Sequence, residues 1–182
     1  MKELLEDLDL VLAPPPAGVR ELYDRAAPQY DRFRALWLKL AGAPAEEALL
    51  DDLKATLRPG QRVLDAGCGT GALARQIREL EPQAVVTMLD LSPGMLELAA
   101  DVPGTHVVGD VAALPFLDDY FDIVVSAWVI ETVPDPMRAV SEYLRVLSST
   151  GYLFYPFSSL PEGWLSRACS SALRAIVENR FA

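Results

Sequence analysis

The chain has 182 residues, which is enough for one domain and leaves no room for a second full one. Its formal net charge is −10, from 16 Lys and Arg against 26 Asp and Glu, and no cluster of basic residues interrupts this balance. Nucleic-acid binding depends on cationic contacts to phosphates, so we expect no nucleic-acid partner. The two cysteines lie far apart in the sequence and do not form a disulfide framework. With a single histidine and no Cys/His cluster, the chain has no transition-metal pattern, so no metal site is predicted.

The amino terminus is acidic and amphipathic, and it lacks the basic start and apolar core of a secretion signal. The longest apolar run, residues 123–130, is much shorter than the roughly 20 residues of a membrane helix. We therefore expect a cytoplasmic protein without a membrane span, and the low cysteine content fits a reducing compartment. Residues 1–18 are predicted to be a first region, with a short helix over 3–12 and a linker at Pro14 to Pro16.

Residues 19–58 are predicted to form a helical cap. The stretch from Val19 combines helical spacing with Pro28, and a second helix is expected from about 45 to 57. Within it, Tyr23, Tyr30, Phe33 and Trp37 follow one another at spacings of seven, three and four. For Phe33 and Trp37 we favour the buried stripe of an amphipathic helix, whereas Tyr30 fits such a stripe and a functional site equally well.

Residues 59–182 alternate apolar strands with amphipathic helices, which requires parallel crossovers. The pattern predicts an α/β fold with a Rossmann-like, doubly wound, mainly parallel sheet and helices on both faces. Strands are predicted at 62–66, 84–89, 105–108, 121–126 and 151–155, and helices at 71–80, 93–100, 136–147 and 164–181. A loop is expected at 148–151.

The segment from Val63 to Gly71 reads V-L-D-A-G-C-G-T-G, a strand that runs through Asp65 into a glycine-rich turn. Glycines at alternating positions permit a tight turn and let backbone N–H groups approach a ligand before the next helix. Gly67 and Gly69, with Ala72 in the last place, also satisfy the dinucleotide fingerprint. Asp65 favours a cationic sulfonium or ammonium ligand, such as S-adenosylmethionine, over a dinucleotide. A carboxylate in the turn attracts such a cation and repels a pyrophosphate.

Two further acids end predicted strands. Asp90 follows the apolar run from Ala84, and its two oxygens can accept both hydroxyls of a ribose. Asp110 ends a short strand before a loop and can accept from an exocyclic amine such as that of adenine.

Two other residues are interpreted as structural. Asp122 is a common residue type at strand ends and turns. Cys68 is a small space-filling residue, since no neighbour in sequence lowers the pKa of its thiol.

Together with the strand 120–126 and its continuation W-V-I-E-T-V-P-D-P, these motifs resemble the class I S-adenosylmethionine-dependent methyltransferases over about residues 23–157. The segment from Tyr23 to Asp31 is similar to the lid of methyltransferases that act on small molecules such as quinone precursors and phospholipid head groups. The resemblance implies that S-adenosylmethionine lies across the carboxyl ends of the first four strands. The cofactor-binding residues that it implies are Asp65, Ala66, Gly67, Cys68 and Gly69 near the methionine, Asp90 on the ribose, Leu91 and Met95 beside the adenosine, Asp110 and Val111 at the adenine, and Ser126 below the sulfonium.

The acceptor side is less patterned. Tyr23, Tyr30 and Trp128 are predicted to face the acceptor, which suggests a small molecule with an apolar or aromatic part. A base is needed only if the acceptor must lose a proton, and Glu131 and Tyr30 are the weak candidates for it.

The chain shows five strands, whereas the family it resembles usually has two more after the last predicted helix. We favour a truncated chain, and the alternative is a second copy or a partner that covers the open sheet edge. Two other functions remain open. The chain could be a non-catalytic module that binds S-adenosylmethionine or its demethylated product, or, less favoured, an NAD-dependent oxidoreductase.

Overall fold

The structure is a computed structural model that describes residues 18–156. The helices are α1 (Val19–Trp37), α2 (Ala43–Thr56), α3 (Ala72–Leu80), α4 (Pro93–Leu98) and α5 (Pro136–Val146). The strands are β1 (Arg62–Ala66), β2 (Val85–Asp90), β3 (Thr105–Val108), β4 (Phe121–Val125) and β5 (Leu147–Phe154). A π-helical turn, Leu38–Gly42, joins α1 to α2. The helices predicted at 3–12 and 164–181 lie outside the described residues.

The five strands form one parallel sheet in the order β3-β2-β1-β4-β5, which confirms the predicted fold. β1 is central, and its Val63 pairs with Val86 of β2 on one side and Ile123 of β4 on the other. The chain moves outward from β1 to β3 and then returns to the opposite side of β1. The topological switch point therefore lies between the carboxyl ends of β1 and β4, where open α/β sheets bind ligands.

Two apolar layers cover the sheet because successive strand residues point to opposite faces. On one face Val63 and Ile123 pack with Ile77 of α3. On the other face Leu64 and Val124 pack with Tyr143 of α5. Each fully buried aliphatic side chain stabilises the fold by about 1.5–3 kcal/mol. The central strands are thus held from both sides, and their carboxyl ends are rigidly placed.

The predicted loop at 148–151 is wrong, because β5 begins at Leu147. Its pairing with β4 is irregular at this point: Phe121 pairs with Leu147, whereas Ile123 pairs with Tyr152. The polar residues between these pairs are accommodated as a bulge in an edge strand, so they do not end it.

α1 is one continuous helix that passes through Pro28. The prediction of a buried stripe is wrong for Phe33, which is 39% exposed. α1 lies over the sheet end and buries only a narrow strip, in which Ala27 is the one fully buried residue among those described. Trp37, at the end of the helix, is half-buried and makes an edge contact with Trp128, with ring centroids 4.1 Å apart.

An ion pair between the partly exposed Arg34 and the buried Glu46 fastens α1 to α2. The Arg34 Nη2 atom donates to both carboxylate oxygens of Glu46, each at 2.7 Å, and Glu46 also accepts from Gln76 Nε2 of α3 at 3.3 Å. Glu46 is only 7% exposed. The pair therefore joins three helices around one buried carboxylate.

Glu46→Ala is expected to lower the free energy of unfolding by about 1–3 kcal/mol, because it leaves the Arg34 guanidinium without its carboxylate partner. Urea denaturation measures the change. Glu47→Ala is the matched control, since this neighbouring acid on α2 is exposed. Equal losses for the two variants would contradict a special role of this ion pair.

Candidate functional site

A cleft of about 310 Å³ opens at the carboxyl ends of β1 to β4, beneath α1. Its walls come from the start of α1, the glycine turn after β1, the segments that follow β2 and β3, and the segment that follows β4. The lining residues are Gly18, Val19, Arg20, Glu21, Tyr23, Tyr30, Gly67, Gly69, Asp90, Leu91, Met95, Gly109, Asp110, Val111, Ala127, Trp128, Val129, Thr132, Val133 and Pro134.

The glycine turn forms one wall of the cleft and is fastened to the end of β2. The N–H groups of Gly67 and Cys68 both donate to the Leu89 carbonyl, at 2.7 and 3.0 Å. Gly67, Gly69 and Gly71 have φ of 79°, 54° and 77°, the left-handed region that favours glycine. The turn thus presents backbone to the cleft and leads directly into α3.

Asp90 lies at the end of β2 with both carboxylate oxygens held. Oδ2 accepts from the Gly69 N–H at 2.8 Å, and Oδ1 accepts from the Ser92 N–H at 2.9 Å. Burial raises the pKa of this carboxyl, and these N–H donors oppose the shift. Each oxygen keeps a further lone pair, so the fixed carboxylate can accept two neighbouring hydroxyl groups from a ligand in the cleft.

Asp65 is buried below the glycine turn and does not line the cleft. Its Oδ2 atom has no hydrogen-bond partner among the described residues. Burial first, and then the neighbouring Asp90 carboxylate, raise the pKa of Asp65 to about 7. An unpartnered buried acceptor next to a second carboxylate gives this end of the cleft a negative character that suits a cationic ligand.

Asp65→Asn is expected to flatten the dependence of stability on pH. Folding raises the pKa of Asp65 from 3.8 to about 7, so the folded state binds this proton more tightly. The resulting stabilisation is fully present below the unfolded value and is lost as the pH rises through about 7. Chemical denaturation of both proteins, from pH values near the unfolded pKa of 3.8 to above about 7, measures the free energy of unfolding. A wild-type stability that does not fall relative to Asp65→Asn over the range would contradict the expectation.

The adenine-side candidates lie where the strand pattern predicts them. Asp110 follows β3, is exposed and accepts from the Ala112 N–H at 2.8 Å, while Val111 beside it is buried. Leu91 and Met95 line the cleft between Asp90 and Asp110. All four residues therefore line the same cleft.

Three other candidates are close to the cleft without lining it. Ala66 is fully buried at the end of β1. Cys68 packs into the apolar core, and burial raises the pKa of its thiol, which agrees with a space-filling role. The Ser126 hydroxyl is buried against the Tyr143 hydroxyl of α5 at 2.9 Å. Roles for these residues in ligand binding stay predictions.

Two tyrosines of α1 face the cleft. Their rings make an edge contact, with centroids 6.2 Å apart, and the Tyr30 ring lies 3.6 Å from the position that a Cβ on Gly69 would occupy. Burial raises the pKa of both Tyr23 and Tyr30. Burial therefore favours the neutral phenol over the phenolate in both residues, and a neutral phenol can donate a hydrogen bond.

Glu131 is exposed and lies next to the lining residue Thr132, and its role as a base stays a prediction.

Trp128 has a φ of 62°, an unusual conformation for a residue with a bulky side chain. Its contact with Trp37 and its place in the cleft wall hold it there. Such strained residues are typical of ligand-binding sites.

In two walls of the cleft, sequence reasoning missed most of the lining residues. It missed Gly18 to Glu21 in the first wall. In the second wall, which follows β4, it singled out Trp128 and Glu131 but missed Val129, Thr132, Val133 and Pro134. The second wall follows β4, a strand beside the switch point. Because open α/β sheets bind ligands there, this position could have predicted that the segment lines the cleft. The first wall depends on where the start of α1 lies, and the resemblance predicted a lid only from Tyr23 onward.

Fold and site together define a Rossmann-like domain with an open cleft at the switch point, the place where such sheets bind nucleoside-type ligands. A family model described as "Methyltransferase domain" matches residues 64–155. The chain belongs to the S-adenosylmethionine-dependent methyltransferases, and S-adenosylmethionine is the cofactor of this family. Among the described residues no group of three or more side chains could hold a metal ion.

Two curated relatives and one solved structure illustrate the family. The malonyl-[acyl-carrier protein] O-methyltransferase of Serratia marcescens is 36% identical over 150 residues, which are 81% of this chain and 54% of the relative. The demethylmenaquinone methyltransferase of Renibacterium salmoninarum is 32% identical, over 84% of this chain and 68% of the relative. An S-adenosylmethionine-dependent methyltransferase of Thermotoga maritima superposes with a TM-score of 0.64 at 26% identity, over 85% of this chain and 69% of the other.

The chain spans about half the length of several curated relatives that it matches. Within residues 18–156, no helix is both long and apolar enough to cross a membrane.

Proposed function

We propose that this chain binds S-adenosylmethionine in the cleft and transfers its methyl group to a small-molecule acceptor that has an apolar or aromatic part. The observation that carries the proposal is the Asp90 carboxylate. It lies at the strand end beside the glycine turn, and backbone N–H groups fix both of its oxygens. A carboxylate held in this way recognises a ribose diol.

The other residues of the cleft fit the same cofactor. Asp110 and Val111 would hold the adenine, and Leu91 and Met95 would pack beside the adenosine. The unpartnered Asp65 carboxylate would favour the cationic methionine end, near Gly67 and Gly69. Ala66, Cys68 and Ser126 would support this end from below.

When bound, the sulfonium supplies an activated methyl group, so the protein has mainly to align the acceptor and exclude water. Tyr23 and Tyr30 on α1 and Trp128 opposite them would form the acceptor side. Their neutral, largely apolar surfaces suit a ring or hydrocarbon. Two relatives are named for the aromatic acceptors demethylmenaquinone and 2-methyl-6-phytyl-1,4-hydroquinone, which supports this choice. If the acceptor is a hydroxyl, Glu131 would assist its deprotonation. Burial disfavours the phenolate of Tyr30, so this residue would orient the acceptor through a hydrogen bond and would not act as the base.

We also infer that the protein works in the cytoplasm, and that a second copy or a partner covers the edge of the sheet at β5. Among residues 18–156 no strand pairs with the outer side of β5, and an unpaired strand edge is an association hazard, which supports the second inference. Sedimentation of the purified chain tests it, and a strictly monomeric protein at high concentration would contradict a homodimer.

Calorimetric titration with S-adenosylmethionine, S-adenosylhomocysteine and NAD tests the cofactor assignment. We expect micromolar binding of the first two and no binding of NAD. NAD binding would instead favour an oxidoreductase.

Once binding is established, a panel of quinols, phenols and carboxylic acids identifies the acceptor by transfer of a labelled methyl group. Tight binding without transfer to any acceptor would support the non-catalytic module.

A further inference from the structure

α1 carries two pairs of residues at a spacing of seven, which is close to two helical turns. One pair, Tyr23 and Tyr30, lines the cleft. The residues that follow them, Asp24 and Asp31, contact the cofactor-binding part of the chain. A spacing of seven places the members of each pair on one face of the helix. The same helix therefore presents a cleft-lining pair and, beside it, an anchoring pair.

The first anchor is Asp24, which reaches the start of α4. Its Oδ1 atom accepts from the Ser92 hydroxyl at 2.5 Å and from the Gly94 N–H at 3.0 Å. The Ser92 hydroxyl in turn accepts from the Met95 N–H at 3.1 Å, and Ser92 is fully buried. Asp24 thus fixes the segment whose Ser92 N–H donates to Asp90 Oδ1.

The second anchor is Asp31, which reaches the glycine turn. It accepts from the Thr70 hydroxyl at 2.6 Å, and Thr70 is only 2% exposed. Thr70 directly follows Gly69, whose N–H donates to Asp90 Oδ2. Asp31 thus fixes the segment that holds the other oxygen of Asp90.

Each anchor of α1 therefore ends on one of the two segments that hold Asp90. Ala27 lies between the anchors and is 5% exposed, so the helix packs closely against the domain at this point. When α1 is in place, both segments are fixed, and the Asp90 carboxylate has its full set of N–H donors. When α1 moves away, both segments lose a hydrogen-bond acceptor.

We propose that Asp24 and Asp31 are positioning residues that form a two-point latch, by which the seating of α1 sets the geometry of Asp90 and is coupled to cofactor binding. This proposal rests on the proposed function, because it takes Asp90 as the ribose-binding residue. By linkage, a bound cofactor strengthens the latch as much as the latch strengthens cofactor binding. The latch also seats Tyr23 and Tyr30 at the cleft, so a shift in the seating of α1 would alter the acceptor side together with Asp90.

A double-mutant cycle on the full chain tests the proposal, with calorimetric titration of S-adenosylhomocysteine as the measurement. Asp24→Ala and Asp31→Ala are each expected to weaken binding about tenfold, as expected for the loss of one or two hydrogen bonds. In an Asp90→Ala background, the same substitutions are expected to weaken binding by no more than about twofold. Equal losses in both backgrounds would overturn the proposal, since they would mean that the anchors act without Asp90. A purely structural role would not produce this difference between backgrounds.

Conservative variants and a charge control complete the design. Asp24→Asn and Asp31→Asn keep an acceptor oxygen, so they are expected to recover most of the affinity. If the alanine variants do not fold, Thr70→Val carries the test, because it removes the hydroxyl that donates to Asp31 and should weaken binding as Asp31→Ala does. Asp51→Ala removes an exposed acid from α2 and changes the net charge equally, and it is expected to bind as wild type.

Failure of the latch and failure of the proposed function give different results. If the wild-type chain does not bind S-adenosylhomocysteine, or if Asp90→Ala binds as tightly as wild type, both are overturned. If Asp90→Ala binds weakly while the latch variants bind as wild type, only the latch is overturned.

Discussion

Asp90→Ala is expected to weaken the binding of S-adenosylmethionine by at least about 100-fold, which corresponds to about 2.7 kcal/mol or more. The carboxylate would contribute two charge-assisted hydrogen bonds to the ribose, each worth about 1.5–3 kcal/mol. The substitution also removes the acceptor of the Gly69 and Ser92 N–H groups, so the subsite loses its shape as well as its charge. Calorimetric titration at constant pH and salt measures the effect.

Asp122→Ala is the matched control for this variant. Asp122 lies at the other end of the sheet, where its Oδ2 atom accepts from the Arg62 N–H at 2.8 Å, which confirms its predicted structural role. Its loss should reduce stability and leave cofactor affinity unchanged. An Asp90→Ala protein that binds as well as Asp122→Ala would remove the main support for the proposed function.

Gly67→Ala is the second variant for which we expect a large effect. Gly67 has a φ of 79°, and a Cβ there would lie 2.3 Å from Val129 Cγ2. The left-handed conformation alone costs about 1–2 kcal/mol for a residue with a side chain. The collision must in addition displace Val129, which lines the cleft, or the turn itself. We expect a loss of about 2–4 kcal/mol in the free energy of unfolding, with cofactor binding abolished.

Gly60→Ala separates the two causes. Gly60 also has a φ of 79°, but nothing lies within 4 Å of its Cβ position. This variant should show the conformational cost without the collision, and it should bind the cofactor normally. Adding Val129→Ala to Gly67→Ala should recover part of the lost stability. If Gly67→Ala is no less stable than Gly60→Ala, the collision with Val129 is not important.

The sheet could be predicted from the sequence because its signals are local. Parallel strands buried on both faces are continuous apolar runs, and Asp65 and Asp90 end two of them beside glycine or a helix start. Because the strands are parallel, their carboxyl ends meet at one edge of the sheet. Most of the cleft therefore lies at that edge. The bulge in β5 escaped prediction because its polar residues resemble a loop, and only the pairing with β4 shows that the strand continues across them.

The placement of α1 could not be predicted in the same way. Its aromatic spacing fits a buried stripe, yet Phe33 is exposed, because the helix covers a cleft and not a flat apolar layer. The hydrogen bond from Gly94 to Asp24 joins residues 70 positions apart, and that from Thr70 to Asp31 joins residues 39 apart. No periodicity in the chain pairs such residues, so these contacts are visible only in three dimensions.

The central position of β1 has a consequence for how the chain folds during synthesis. Arg62 at its start contacts Asp122, 60 positions later, so one side of β1 has no partner until β4 has been made. β1, β2 and β3 can assemble first, and in that intermediate the central strand of the finished sheet is an open edge. Ribosomes that pause between β3 and β4 would prolong this exposure. We therefore expect the yield of correctly folded protein to respond to synthesis rate and chaperone supply more strongly than the stability of the finished domain suggests.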